Sequence, residues 1–297
     1  MKNNSSINND YKENFLMNES LSKYSWFNLG GPAEILFKPD NVNQISSFLK
    51  NNKEKLNILG AGSNTLIRDK GIKGVTLKLS PKFSYIEWLE KDVIKVGAAT
   101  LDKKLSEFGI KNSIQGFEFL SCIPGSIGGG IKMNCGCYGE NISDNLLSVE
   151  IIDMEGNIKH INKDQIRFSY RNCDLPKEFL ILSVNFKAKE GNPKTIENKK
   201  IDLLERKKKS QPQRVKTCGS TFKNSKKDKA WELIKKSDCE KLSVGDAIIS
   251  DKHCNFFINN GNAKTHQIEE LILKVRETVY KKTGIKLDLE IKIIGEK

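Results

Sequence analysis

GFEFLSCIPGSIGGGIKMNCGCYGE, residues 116–140, decides how this chain is read. Gly125, Gly128, Gly129, Gly130, Gly136 and Gly139 crowd around Pro124 between apolar flanks. Glycine-lined turns leave successive backbone N–H groups unobstructed, so they converge on a phosphate oxygen without needing a positive side chain. The stretch lacks the lysine and hydroxyl pair of a nucleotide-triphosphatase loop, and its glycine spacing does not fit the strand-turn-helix dinucleotide fingerprint. A second glycine turn, Leu59-Gly60-Ala61-Gly62-Ser63-Asn64-Thr65, follows the apolar run Leu56–Leu59. Either segment alone is explained about as well by tight turns and close strand packing. Together they favour one extended diphosphate-bearing cofactor held from two sides.

The rest of the composition narrows the class. A length of 297 residues exceeds what one hydrophobic core usually organises, so two or three subdomains are expected, and an apolar share of 37% suffices for their interiors. No window approaches a membrane span, and the N-terminus MKNNSSINNDYKENF lacks the apolar stretch of a secretory signal. A cytoplasmic chain without membrane insertion is predicted. Cys122, Cys135, Cys137, Cys173, Cys218, Cys239 and Cys254 are odd in number and form no C-x-x-C pair, which fits reduced thiols. Cys122, Cys135 and Cys137 lack a fourth ligand at sensible spacing, so no metal is expected. The net charge of +13 is spread along the chain, apart from one tract from Arg206 to Lys216. That tract reads first as a solvated helix end and second as a field that attracts an anionic small substrate. A nucleic-acid partner ranks last, because no binding motif or basic-aromatic platform accompanies the charge.

Periodicity gives an α+β order. Residues 1–19, polar and Asn-rich, are predicted to be disordered. Strands are predicted at Ala33–Phe37, Leu56–Leu59, Val75–Leu79, Val93–Val96 and Phe179–Phe186, with a hairpin of Leu147–Met154 and Ile158–Ile161 around Glu155-Gly156-Asn157. Helices are predicted at Val42–Leu49, Leu101–Phe108, from Thr195 to Lys209 and over 228–236. Another is N-capped by Thr265, carries Ile268, Leu271, Ile272, Val275 and Val279 on one face, and ends at Gly284. A terminal strand over Lys286–Ile294 puts Leu287, Leu289, Ile291 and Ile293 on one face and Asp288, Glu290 and Lys292 on the other, which by alternation alone sends Glu290 to solvent. The organisation expected is residues 20–190 in two subdomains with a boundary near 80, a connector helix over 191–212, and a substrate-binding domain over 213–297.

Seven separated motifs then stand in order: Leu29-Gly30-Gly31-Pro32-Ala33, the Leu59–Asn64 turn, the Gly116–Gly139 block, Tyr170-Arg171, Gly219-Ser220-Thr221-Phe222-Lys223-Asn224, Ser250-x-Lys252-His253-x-Asn255-Phe256, and Leu287-x-x-Glu290. On these motifs the chain, from about Leu21 to Gly295, resembles the UDP-N-acetylenolpyruvoylglucosamine reductase family, and the short interval between Tyr170-Arg171 and Gly219-Ser220 resembles its type II members. The resemblance implies an FAD-binding fold of the vanillyl-alcohol oxidase-like (PCMH) type in two subdomains, followed by a C-terminal α/β substrate domain. It implies non-covalent FAD, NADPH as reductant, a UDP-sugar substrate reduced for peptidoglycan synthesis, and a monomer. The implied FAD contacts are Gly60, Ala61, Gly62, Ser63, Asn64, Thr65, Pro124, Gly125, Ser126, Gly128, Gly129, Asn134, Gly136 and Tyr138. Ser220 is implied as the proton donor, with Arg171 and Glu290 stabilising enolate charge, and Tyr170, Lys223, Asn224 and His253 as substrate contacts.

Read without the resemblance, Ser220 is a turn or cap residue, Arg171 a partner for Asp174, Tyr170 a core residue, and His253 a loop or surface residue. Two rival functions remain: another FAD-dependent oxidoreductase on the same scaffold, and a basic nucleic-acid-binding module. The chain also departs from the family pattern. The usual Asn-Ala-Gly-Ala-Tyr-Gly is Asn134-Cys135-Gly136-Cys137-Tyr138-Gly139, an alanine commonly ending the preceding glycine run is Gly130, Ser225 stands for a usual proline, and Cys239-Glu240-Lys241 replaces a typical Leu-Lys-Gly.

Overall fold

FLILSVNFK, the strand Phe179–Lys187, is apolar on both faces and is buried along almost its whole length, as a central strand must be. In the computed structural model, which describes residues 9–175 and 179–297, it pairs antiparallel with Leu146–Asp153 on one side and Val93–Gly97 on the other. Ile158–Asn162 and Ile86–Glu90 form the outer strands of this five-stranded sheet. The predicted hairpin is present, its turn tied by Asp153 Oδ1, which accepts from Glu155 N at 3.1 Å and Asn157 N at 2.8 Å.

The chain divides into two units. The first is built on Ile35–Ala61 and Val75–Arg206, with the N-terminal segment ending at Leu16. Four helices belong to it: α1 (Val42–Asn51), α2 (Asp102–Lys111), α3 (Ile127–Met133) and most of α4 (Pro193–Ser210). Asn41 caps α1 by accepting from Gln44 N at 3.0 Å, and Ile45, Phe48 and Leu49, spaced on one face, are buried. The strands Leu56–Ile58 and Ile72–Leu77 run parallel, with Ile58 opposite Leu77. Leu56–Ile58 therefore ends just before the first glycine turn.

One expectation is corrected here. Disorder was predicted through residue 19, yet a 3-10 turn spans Asn9–Asn14 and a strand spans Phe15–Ser20; residues 1–8 lie outside the described residues. Two isolated aromatics in a polar background explain it. The Phe15 ring stacks on Phe37 at 4.4 Å and Tyr11 lies 5.9 Å from the same ring, so each buries a large apolar area that the local composition conceals.

The second unit comprises Met17–Glu34, Gly62–Gly74 and Lys207–Lys297. Helices α5 (Ala230–Lys236) and α6 (Thr265–Thr283) pack with the sheet of Ser243–Val244, Ala247–Ile249 and Phe257–Asn259 around one core. All five predicted apolar residues of α6 are buried, and the helix ends at Gly284 with φ +71°, where a side chain would be strained. Its start differs from expectation. Thr265 is the first helical residue, donating its hydroxyl to Ile67 O at 2.7 Å, while the cap comes from Asp69, whose carboxylate accepts from Thr265 N at 2.9 Å and His266 N at 3.1 Å. Burial pushes the Asp69 carboxyl up, but these donors outweigh it and hold it below the usual range. The terminal strand is also shorter than predicted. Only Lys292–Ile294 forms a ladder, parallel to Thr65–Ile67, and Leu289 makes a single bridge to Phe222.

Candidate active site

Within the second unit three of the sequence motifs lie side by side. Ser220 bridges Phe256 and Thr221 N donates to Asn255 O at 2.8 Å, while on the other side Glu290 N donates to Thr221 O at 2.9 Å and Lys223 N to Asp288 O at 2.8 Å. The buried Asn255 side chain locks this arrangement, accepting from Phe222 N at 3.0 Å and donating to Phe222 O at 2.8 Å. Asn64, from the first glycine turn, joins the same lattice. Its side-chain amide donates to Glu290 O at 3.1 Å and its carbonyl accepts from Lys292 N at 2.9 Å. Ser220 and Glu290, seventy positions apart in sequence, are thereby fixed on neighbouring chains. Glu290 is half-buried whereas its polar-face neighbours Asp288 and Lys292 are exposed, so alternation misjudged its environment.

The surrounding residues take defined local roles. Nδ1 of His253 accepts from Asn255 N at 3.3 Å, its ring meets Phe256 edge-on at 4.9 Å, and burial holds its pKa below the usual imidazole value, so it is neutral at pH 7 and shapes its own turn. Lys223 is half-buried, and Asn224 is exposed with its Oδ1 accepting from Ala230 N at 2.9 Å, which caps α5. The basic tract forms the last turn of α4 and the loop after it, with Lys208 and Lys209 exposed.

The first unit holds the remaining predicted residues. Asn134, Tyr138 and Arg171 all have positive φ, at 40°, 54° and 53°. Non-glycine residues rarely adopt this conformation, and its clustering marks sites where the fold holds side chains in set directions. The Arg171 guanidinium donates to Gly136 O at 2.8 Å and lies 4.9 Å over the Tyr170 ring, and Asn134 donates to Ser169 O at 3.1 Å. Tyr170 is half exposed and so is not core, while Asp174 accepts from Arg167 N at 2.7 Å.

The second glycine turn is zipped to the chain around residue 100: Gly128 N donates to Ala98 O and Ile127 N to Thr100 O, both at 2.9 Å, and Asp102 N to Gly125 O at 3.2 Å. The glycines separate into two kinds. A Cβ on Gly62 would lie 1.8 Å from Tyr24 O, one on Gly128 3.0 Å from Ala98 Cβ and one on Gly136 2.3 Å from Glu140 O, so these permit close backbone packing. Gly60 and Gly129 are different. A Cβ on either would meet only the Ser126 hydroxyl, at 3.4 and 3.6 Å. Gly60 and Gly129 thus both look onto the Ser126 hydroxyl, leaving a cradle that side chains would fill. At the C-cap of α3, the helix that Ser126 begins, Asn134 Oδ1 is a buried acceptor with no donor. A diphosphate flavin fits this set: open glycine backbone for the phosphates and an orphan acceptor for a ring N–H. Of the other predicted contacts, Ala61, Ser63, Pro124 and Gly125 are half-buried in the two turns and Thr65 opens the strand Thr65–Ile67.

Three features escaped the sequence reading. Lys199 on α4 donates to Glu118 Oε2 at 3.3 Å and Glu140 Oε1 at 2.7 Å, and Glu118 Oε2 also accepts from Gly116 N at 2.9 Å, so one lysine clamps both ends of the glycine stretch. Asp102 is fully buried with neither oxygen hydrogen-bonded, and burial pushes its carboxyl up to about 8. Cys135 places its sulfur 3.0 Å from where a Gly130 Cβ would stand. The small Gly130 and enlarged Cys135 are therefore a compensating pair. A hydrogen bond with Cys122, followed by burial, keeps the Cys137 thiol protonated, and among the described residues no group of three His, Cys, Asp or Glu side chains is placed to hold a metal. No helix among the described residues is long and apolar enough to cross a membrane.

Residues 33–162 match the family model of an FAD binding domain, and residues 211–294 match that of the UDP-N-acetylenolpyruvoylglucosamine reductase C-terminal domain. The chain is 48% identical to the UDP-N-acetylenolpyruvoylglucosamine reductase of Pelagibacter ubique, covering 98% of this chain and 95% of that protein. It is 42% identical to that of Rickettsia bellii, covering 98% and 95%. The crystal structure of the Thermus caldophilus enzyme superposes with a TM-score of 0.83 at 29% identity, over 95% of this chain and 98% of that one. An FAD-binding α+β fold and identity of this extent over nearly the whole length lead to one conclusion: the chain belongs to the UDP-N-acetylenolpyruvoylglucosamine reductase family.

Proposed function

We propose that this protein reduces UDP-N-acetyl-3-O-(1-carboxyvinyl)-glucosamine to UDP-N-acetylmuramate with NADPH, as a cytoplasmic monomer supplying peptidoglycan synthesis. Family membership supports the reaction, and the observation that carries the residue assignment is the backbone lattice that fixes Ser220 and Glu290 on adjacent chains, tied to the first glycine turn through Asn64. The chemistry that FAD supplies when bound is hydride transfer from NADPH to C3 of the enolpyruvyl group. Gly60, Ser126 and Gly129 would hold its phosphates, and Asn134 Oδ1 would accept from a ring N–H. Arg171 presents a fixed fork of donors to the substrate carboxylate, where charge develops as hydride arrives. Glu290, half-buried, assists at the same carboxylate, and Ser220 Oγ–H delivers the proton to C2. Tyr170, Lys223, Asn224 and His253 orient the UDP-sugar.

The two half-reactions test this. Ser220→Ala should leave NADPH-driven flavin bleaching nearly intact and slow reoxidation by the enolpyruvyl substrate by about 10²–10⁴, the scale of general acid catalysis. Glu290→Gln should share that asymmetry. Stopped-flow absorbance resolves both steps, and equal slowing of the two by Ser220→Ala would refute the proton-donor role.

A further inference from the structure

Lys78 follows the strand Ile72–Leu77 and, through the parallel pairing of Ile58 with Leu77, comes to lie beside the first glycine turn. Leu59 N donates to Leu77 O at 2.9 Å, and the Lys78 ammonium donates to Gly60 O, the carbonyl of the glycine that opens the cradle towards Ser126. Its backbone N donates to Phe37 O at 2.9 Å, which brings the neighbouring Lys38 alongside. Two lysines on adjacent chains, one of them half-buried, is an arrangement that repulsion and desolvation both oppose. Burial first and the Lys38 charge second push the Lys78 ammonium down to about 8. Its hydrogen bond to Gly60 O holds the Lys78 ammonium at the edge of the open glycine cradle before any anion arrives.

We propose that Lys78 is a binding residue for the FAD diphosphate, supplying the positive charge that the glycine turns themselves lack. The inference rests on the flavin reading of the cradle and adds to it a residue outside both glycine turns. The phosphates and Lys78 compensate one another: the anion relieves the lysine pair, and the ammonium adds a charge-assisted contact to the backbone donors.

Flavin-stripped full-length protein is titrated with FAD, ADP and riboflavin, wild type against Lys78→Met, with Lys78→Gln as a second variant and thermal unfolding of each apo-protein to establish that it is folded. Loss of one charge-assisted contact should weaken FAD and ADP about 10- to 100-fold. Riboflavin, which has no phosphate, should bind both proteins equally. The FAD dissociation constant of the variant should also depend less on ionic strength than that of wild type. Unchanged FAD affinity in a folded variant overturns the proposal. So does riboflavin weakening as much as FAD, or an unaltered salt dependence, since both mean that Lys78 only shapes the turn through Gly60. Wild-type protein that takes up no FAD refutes the flavin reading of the cradle, and the Lys78 assignment with it.

Discussion

Asp102→Asn offers a direct measurement of what burial costs this fold. Asp102 opens α2 with no exposed surface, neither carboxylate oxygen has a hydrogen-bond partner, and desolvation alone pushes the carboxyl up from 3.8 to about 8. The folded-state pKa is raised, so the stability associated with this group is fully present below the unfolded value near 4 and is lost as pH rises towards the folded value near 8. Between about pH 5 and about pH 7 the folded protein keeps this proton and the unfolded chain has released it, so each pH unit removes about 1.4 kcal/mol. Two units remove about 2.7 kcal/mol, equivalent to roughly 4 °C in Tm for a chain of this size. Asparagine has nearly the same shape and cannot ionise. Its Tm, measured by calorimetry with saturating FAD, should therefore decline less over this range by that amount, the gap opening from acid to neutral pH. Parallel Tm–pH curves for the two proteins would refute the reasoning and show that Asp102 is folded as a compensated carboxylate.

Two further outcomes follow from particular contacts. Gly130→Ala should destabilise by about 1–3 kcal/mol, because its Cβ would stand 3.0 Å from both the Cys135 sulfur and Ile142 Cδ1, and adding Cys135→Ala should recover part of that loss; a denaturant double-mutant cycle measures the coupling, and strict additivity would show the pair is not compensatory. Replacing the exposed Lys208 and Lys209 together by Gln should raise the KM for the UDP-sugar with little change in kcat, most strongly at low salt, and unchanged steady-state kinetics at low ionic strength would assign the tract to a solvated helix end.

The site was partly legible because some of its determinants are local. Each glycine turn and each separate motif sits within a short window. Which glycines form the cradle did not, because Gly60 and Gly62 look alike until Tyr24 O is found against one and Ser126 Oγ at van der Waals distance from the other. The burial of Glu290 was misjudged for the same reason: alternation reports which residues share a face, and only the chain packed over that face determines whether it is wet.

By itself the sequence determined the elements whose signal repeats within a few residues: the apolar stripe of α6, its stop at Gly284, the turn after Asp153, and the doubly apolar Phe179–Lys187 strand. Tertiary structure alone decided that Met17–Glu34 and Gly62–Gly74 belong with the C-terminal third, and that the cap of α6 is Asp69, 196 residues before Thr265. It alone placed Lys78 against Gly60, Lys199 between Glu118 and Glu140, and Asp102 out of reach of water. Helix and turn preferences act through neighbours along the chain, so a window of sequence contains them. Burial, long-range capping and charge placement depend on which surfaces meet when the chain closes on itself, and the free energy of those meetings is shared by residues that no window contains.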